Sequence, residues 1–352
     1  MSNLSDLTII IPSYNRQRYV IRQLEFWKNT EVKVLVLDGS ENVCSKLSGY
    51  TSTNIKVLHI PKSIEKRLGL AGQIIETKYA AMISDDEFFL PSALSSVIEF
   101  LDKNLSYSAC KGRAVGFNLD SENLILGKMA YEDLEGYDLN LESPSERMID
   151  HMSPYVMASL WAVHRTEVLQ NCLDLISRKT KYSSAAAVEI QISLITAWYG
   201  KIKVLNELMW FRSYENENIW WSFGNVSTYK WLSKKKYKQE IDQFIDTLTQ
   251  SISCSQKDIR FALEGLIADY EEVSRQRGIL IRLASVFAIF IPVKAKLLIA
   301  AVIKRLIWNK QNSSTTLLDC VISMQNSGVI IDMEGVEAIS SLVKQHNHVH
   351  TL

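Results

Sequence analysis

The stretch Tyr79-Ala80-Ala81-Met82-Ile83-Ser84-Asp85-Asp86-Glu87-Phe88-Phe89-Leu90-Pro91 decides how the chain is read. Residues 79–84 are a short apolar run closed by polar residues, the pattern of a buried strand. Pro91 then opens a segment, 91–105, whose apolar side chains recur at three and four, so a helix is expected to start there. Between strand and helix stand three adjacent acids. Such neighbours repel one another unless a cation or hydrogen-bond donors sit among them, which points to a divalent metal. The plainer reading is helix capping ahead of Pro91, for which one Asp would suffice.

Working outward, residues 7–11, 32–37 and 55–60 are further short runs rich in β-branched residues. A helix is expected over Arg18–Asn29, where Val20, Ile21, Leu24 and Trp27 fall at helical spacing. Strand, helix, strand repeated in this way predicts an α/β fold with a Rossmann-like, mostly parallel sheet covered by helices. Such sheets bind ligands at the C-terminal ends of their strands. Further along, 112–118 reads as a strand, 142–157 as irregular, 166–176 and 185–198 as helices, and 201–214 as a strand.

Composition narrows the function. The 352 residues carry 39 Lys+Arg and 39 Asp+Glu, so no excess of positive charge is available to neutralise a nucleic acid. Five widely spaced cysteines with no CxxC pair give neither a disulfide framework nor a zinc site, and they read as reduced core thiols. The start of the chain lacks the long apolar stretch of a secretion signal, so a cytoplasmic protein is expected.

Beyond residue 225 the composition changes. Helices are expected over 241–252 and 258–277. From Val273 to Leu318 there are eight Lys/Arg and no Asp or Glu, around an apolar sequence whose longest charge-free run is the eleven residues Leu283–Val293. That run is well short of the roughly 20 residues needed to span a bilayer. Two short in-plane helices broken at Pro292 are expected, holding the protein on an anionic membrane surface; a helical cap with a basic edge is the alternative. The organisation expected is a main domain over 1–225, a helical extension over 226–274, the basic apolar segment over 275–310, and a tail over 311–352 for which the sequence offers no reading.

Three loops in order carry a family likeness: Ile9-Ile10-Ile11-Pro12-Ser13-Tyr14-Asn15-Arg16, then Val34-Leu35-Val36-Leu37-Asp38-Gly39-Ser40, then the acid cluster. In this set the chain resembles the family 2 glycosyltransferases of the GT-A fold, over roughly residues 7–215. The Phe and Pro after the acids are nearest to a bacterial subgroup that builds surface polysaccharide.

The resemblance implies that Pro12, Tyr14, Asn15 and Arg16 line a nucleotide-sugar site. Tyr14 would offer an aromatic face, Asp38 an acceptor for the N–H of a uracil-like base, and Asn15 and Arg16 contacts to ribose or phosphates. Arg67 would pair with the diphosphate, its alternative being a solvated helix charge. Asp86 falls at the metal-binding position, implying Mn²⁺ or Mg²⁺, with Asp85 in the middle of the motif. Two departures stand out: Ser84 replaces the motif's first Asp, and Leu37 replaces the first acid of the common Asp-Asp-Gly-Ser.

The second half of the family pattern appears as Ala162-Val163-His164-Arg165, then Ala187-Val188-Glu189-Ile190, then Gly200-Lys201-Ile202. Glu189 is expected to be the catalytic base, with a pKa raised by its apolar setting; the alternative is a charge at a helix start, and Glu215 and Glu217 are the fallback acids. Arg212 stands where relatives have a residue facing the diphosphate. His151 and His164 could supply a third metal ligand, but a lone His is more often structural, and both stay outside the metal set. Trp220 and Trp221 suit stacking on a sugar ring, although core packing is the default reading of a tryptophan.

The activity implied is inverting transfer of a sugar from a nucleotide diphosphate, most simply a UDP-sugar, to a glycan or lipid-linked acceptor in O-antigen or capsule synthesis. Its place would be the inner face of the cell membrane. A sugar-nucleotide pyrophosphorylase would need a Gly-rich loop after the first strand, and residues 12–16 contain no glycine. A non-catalytic membrane-associated module retaining the fold is the remaining alternative.

Overall fold

The computed structural model describes residues 4–120, 122–178, 182–215, 225–289 and 315–348. Four parallel strands form one half of its sheet: β1 (Leu7–Ser13), β2 (Lys33–Asp38), β3 (Ile55–His59) and β4 (Tyr79–Met82). They lie in the order β4-β1-β2-β3, with Ser13 level with Asp38. Near-continuous burial along β1, β2 and β4 is what a parallel sheet covered on both faces requires. The covering helices on this half are α1 (Gln17–Trp27), the short α2 (Ser45–Ser48) and α3 (Ile64–Ile74).

After the acid cluster come β5 (Phe88–Phe89) and α4 (Pro91–Lys103), with Pro91 at the first helical turn as expected. The sheet continues through β6 (Tyr107–Leu119), β7 (Ile125–Ala130), β8 (Asp138–Leu139) and β9 (Val163–Arg165). β9 runs antiparallel between β4 and β6 and so joins the two halves. The helices α6 (Thr166–Arg178) and α7 (Ala186–Tyr199) lead to β10 (Lys201–Ser213), which pairs with β6, β5 and β8. Gly200 makes that last entry possible, because a Cβ there would come 2.7 Å from both Ser106 O and Ser108 N.

Residues 142–157 are not irregular throughout. They contain α5 (Pro144–Met152), started by the Ser143 side chain accepting from the Glu146 amide and by Pro144 in the first turn. The extension, α8 (Thr228–Ser233), α9 (Lys238–Ile252) and α10 (Gln256–Ile289), packs on it through Ser145–Asp258 and Ser153–Asp269 hydrogen bonds, both 2.9 Å.

The tail is part of the globule. β11 (Thr315–Thr316) adds to the edge of β7, and α11 (Leu317–Asn326) packs behind it. Ile330 exchanges main-chain hydrogen bonds with Asn206 and Leu208 at 2.9 Å, and α12 (Met333–His348) lies on α1.

Among the described residues no helix is long and apolar enough to cross a membrane. The expected break at Pro292 and most of the basic apolar segment lie outside the described residues, as do Trp220, Trp221 and Glu217. The described cysteines are all free thiols.

Candidate active site

Because β1, β2 and β4 are parallel neighbours, the loops that leave their C-terminal ends meet. At the β2 end, Asp38 is buried and receives both the amide (3.0 Å) and the hydroxyl of Ser40 on Oδ1. The Ser40 hydroxyl oxygen accepts in turn from the Asn15 amide at 2.9 Å and from Gln17 Nε2 at 2.8 Å. Asp38 therefore shapes the β1 loop by way of Ser40. Asn15 takes a left-handed backbone, φ 55°, which its short polar side chain tolerates better than most. That turn leaves Tyr14 48% exposed at the rim, beside the half-buried Pro12.

Arg67 does not project into this space. It is 3% exposed, and its guanidinium donates to the carbonyls of Ser13 and Leu37 at 2.6 Å and of Lys62 at 3.2 Å. It ties β1 to β2 underneath the loops, a role that neither a diphosphate contact nor a solvated helix charge describes. Gly39 belongs to the same arrangement, since a Cβ there would lie 2.4 Å from Arg67 Cζ.

The acid cluster is answered by arginine. Arg16 Nη2 lies 2.5 Å from Asp86 Oδ2, and its Nε lies 3.1 Å from Asp85 Oδ1. Ser13 donates to Asp85 Oδ2 at 2.6 Å. Burial pushes the Asp85 pKa up while Arg16 pulls it down. Behind the pair, Arg22 donates to the Asp86 carbonyl at 3.0 Å and to Glu215 at 2.7 Å, so Glu215 already has a cation of its own.

Glu87 is turned into the core. It accepts from Trp210 Nε1 at 2.8 Å, and burial pushes its pKa up to about 8. Lys111 is wholly buried over the Trp210 ring, 4.6 Å from the centroid, and donates to the carbonyls of Met157 (3.3 Å) and Leu160 (3.0 Å). Burial brings its pKa down to about 7, while Glu87 and Glu189 hold it up, so the lysine lies within electrostatic reach of both acids.

Glu189 sits in the first turn of α7, half-buried, with Tyr155 donating to its Oε1 at 2.7 Å. Burial raises its pKa; Tyr155, then Lys111, oppose this. Arg212 is half-buried between the rings of Tyr131 and Tyr214, each 5.0 Å from its guanidinium carbon. His151 and His164 are buried and uncharged, their pKa values pushed down by burial to about 3 and about 4. Neither is placed as a metal ligand: among the described residues no group of three His, Cys, Asp or Glu side chains could hold a metal.

The donors present thus fit only a cation that brings further ligands with it. Hard carboxylate oxygens suit Mg²⁺ or Mn²⁺, and Mg²⁺ is commonly held by one or two carboxylates together with substrate phosphates. Asp86 is the carboxylate available for that role. Ser13, Ser40, Arg22 and Tyr155 are site residues that the sequence reading did not single out. The serines had a visible signal, since both stand in strand-end loops already suspected.

No family model matches the chain, and no curated protein sequence matches it. Among solved structures the chain is similar to residues 1–349 of S. aureus TarS. With the complex of TarS and UDP-GlcNAc the TM-score is 0.50 at 16% identity, covering 82% of this chain and 77% of that one. With the UDP complex it is 0.46 at 15% identity, covering 82% and 76%. The first likeness bears on the fold, which is the GT-A architecture with added C-terminal helices.

Proposed function

We propose that the protein is an inverting glycosyltransferase that moves a sugar from a nucleotide diphosphate to a glycan or lipid-linked acceptor in the synthesis of bacterial surface polysaccharide such as O-antigen or capsule. The observation that carries this reading is the Arg16 bridge across Asp85 and Asp86, set where the loops after β1, β2 and β4 converge. One cation and one carboxylate side by side at these strand ends would suit a diphosphate and its counter-ion. The UDP-GlcNAc in the TarS complex supports a UDP-sugar as donor.

In this reading Tyr14 covers the base at the rim, Asp38 and Asn15 shape the nucleoside loop, and Arg16 turns from the carboxylates to the phosphates. Asp86 would hold Mn²⁺ or Mg²⁺, which neutralises charge developing on the leaving diphosphate. Arg212 adds positive charge beside it, and Asp85, fixed by Ser13, orients the loop. Glu189 takes the proton from the acceptor hydroxyl as that oxygen attacks the anomeric carbon.

The basic stretch Val273–Leu318, with eight cations and no acid, supports attachment to anionic lipid on the inner face of the membrane, near a lipid-linked acceptor. Liposome co-sedimentation checks this part: binding should need anionic lipid, weaken with salt, and be lost from the full-length chain when Lys294, Lys296, Lys304 and Arg305 are changed to Glu. The test of the activity is a panel of UDP-sugars with Mn²⁺ or Mg²⁺, scored for UDP release and for a rise in melting temperature. Release of UDP from at least one sugar is the expected outcome. A chain that gains no thermal protection from any nucleotide with metal is the non-catalytic module.

A further inference from the structure

Glu189 stands at the end of a buried line of hydrogen bonds. The Tyr155 hydroxyl, 2.7 Å from Glu189 Oε1, lies 3.2 Å from Ser193 Oγ. Ser193 Oγ lies 2.7 Å from Ser159 Oγ, which lies 3.3 Å from His151 Nε2, and His151 Nδ1 bonds the Tyr137 hydroxyl. Glu189 and Ser193 are one turn apart on α7, His151 is on α5, and Tyr155 and Ser159 lie in the segment between α5 and β9. Ser159, Ser193 and His151 are all 0% exposed.

The direction of the line follows from its ends. A carboxylate can only accept, so the Tyr155 hydrogen goes to Glu189. The Tyr155 oxygen is then satisfied by Ser193, that of Ser193 by Ser159, and that of Ser159 by the N–H on His151 Nε2. The neutral imidazole has one N–H, which leaves Nδ1 to accept from Tyr137. Each hydrogen in the line thus has one destination. Glu189 Oε2 has no protein hydrogen bond among the described residues.

We propose that Tyr155 is a positioning residue: the line behind it fixes its hydroxyl as donor to Glu189 Oε1, which keeps the carboxylate ionised and oriented with Oε2 turned to the acceptor hydroxyl. The inference rests on the reading of Glu189 as base. The groups facing the carboxyl are Tyr155, from the segment before β9, and the buried ammonium of Lys111 on β6. Tyr270 on α10 faces Tyr155 in turn.

Two readouts on the full chain test it, with Tyr155→Phe and Ser193→Ala compared against wild type. The first is the Glu189 carboxyl titration by ¹³C NMR of Glu-labelled protein, assigned with Glu189→Gln. Without the Tyr155 hydrogen bond the ionised form is less favoured, so the midpoint should rise by about one pH unit in Tyr155→Phe, and by less in Ser193→Ala. The second is the pH profile of kcat, whose acid limb should move up by the same amount, because a base must be deprotonated to act. An unmoved midpoint in both variants overturns the inference, as does a kcat lowered equally at every pH. A raised midpoint in a protein that turns over no nucleotide sugar would leave the hydrogen-bonded line standing and remove the base reading, so the two failures are distinguishable.

Discussion

The acid cluster and Glu189 are both carboxylate sites, but they are answered differently. Asp85 and Asp86 meet a full positive charge, with Arg16 on both and Arg22 behind them. Among the described residues Glu189 meets only the neutral hydroxyl of Tyr155 at contact distance, with Lys111 acting at longer range. Close ion pairing pulls toward the charged form, but at Asp85 burial outweighs Arg16 and pushes the carboxyl up to about 7. At Glu189 burial raises the pKa against one neutral donor and a more distant lysine, a setting that suits a carboxylate able to take a proton. In the proposed reading the arginine-bridged acids hold charge and Glu189 takes a proton, although burial raises the pKa of Asp85 and of Glu189 alike.

The largest expected effect breaks the first of these. Asp86→Ala should abolish metal-dependent donor binding and turnover with the fold intact, measured by circular dichroism and by Mn²⁺ titration with a nucleoside diphosphate. An unchanged metal affinity would contradict the role of the cluster. Next, Glu189→Gln keeps shape but cannot take the proton, so turnover should fall by about 10²–10⁴-fold with donor affinity nearly unchanged. A variant within a few-fold of wild type would take Glu189 out of the mechanism; the ion pair of Glu215 with Arg22 makes that residue a poor substitute.

A smaller effect sharpens the comparison through pH. His151, at the far end of the Glu189 line, stays neutral in the fold down to about 3, whereas its ordinary value is 6.5. Below pH 6.5 the unfolded chain therefore binds a proton that the folded chain does not, so this contribution to stability is present above that pH and is lost as the pH falls. The expected loss is about 1.4 kcal/mol per pH unit from this residue, read from urea unfolding between pH 6.5 and 4.5. His151→Gln should flatten that slope. Smallest of all, Gly39→Ala should press on Arg67 and lower stability by about 1–3 kcal/mol in a thermal melt, without touching Glu189.

The surroundings of Asp85 and Asp86 were the more legible half. The strand-end loops, Asp38, the acid cluster and the parallel order can be read because each lies in a short continuous segment with a strong local pattern. Glu189 was singled out by its distance from Gly200 within the family pattern. Its surroundings were not legible, since Tyr155, Ser193, Ser159, His151 and Tyr137 are brought together by packing among α5, α7 and the segment before β9. The main-chain contacts of Arg67 are not legible for a similar reason: they depend on Gly39, which leaves room for the guanidinium. The antiparallel strands β5, β8, β9 and β11, two or three residues each, are too short for a period to register. The tail went unread because its amphipathic helices are stabilised by contact with β7 and α1. The cap of α5, Ser143-Pro144, is a local signal that the sequence does carry.

Equilibrium titration of UDP in the presence of Mn²⁺, run side by side on wild type, Asp86→Ala and Glu189→Gln, tests the division most directly. Tight binding by wild type and by Glu189→Gln, with loss of binding in Asp86→Ala, is the expected result. Equal binding by all three, or equal loss in both variants, would contradict the assignment of charge-holding to one carboxylate site and proton transfer to the other.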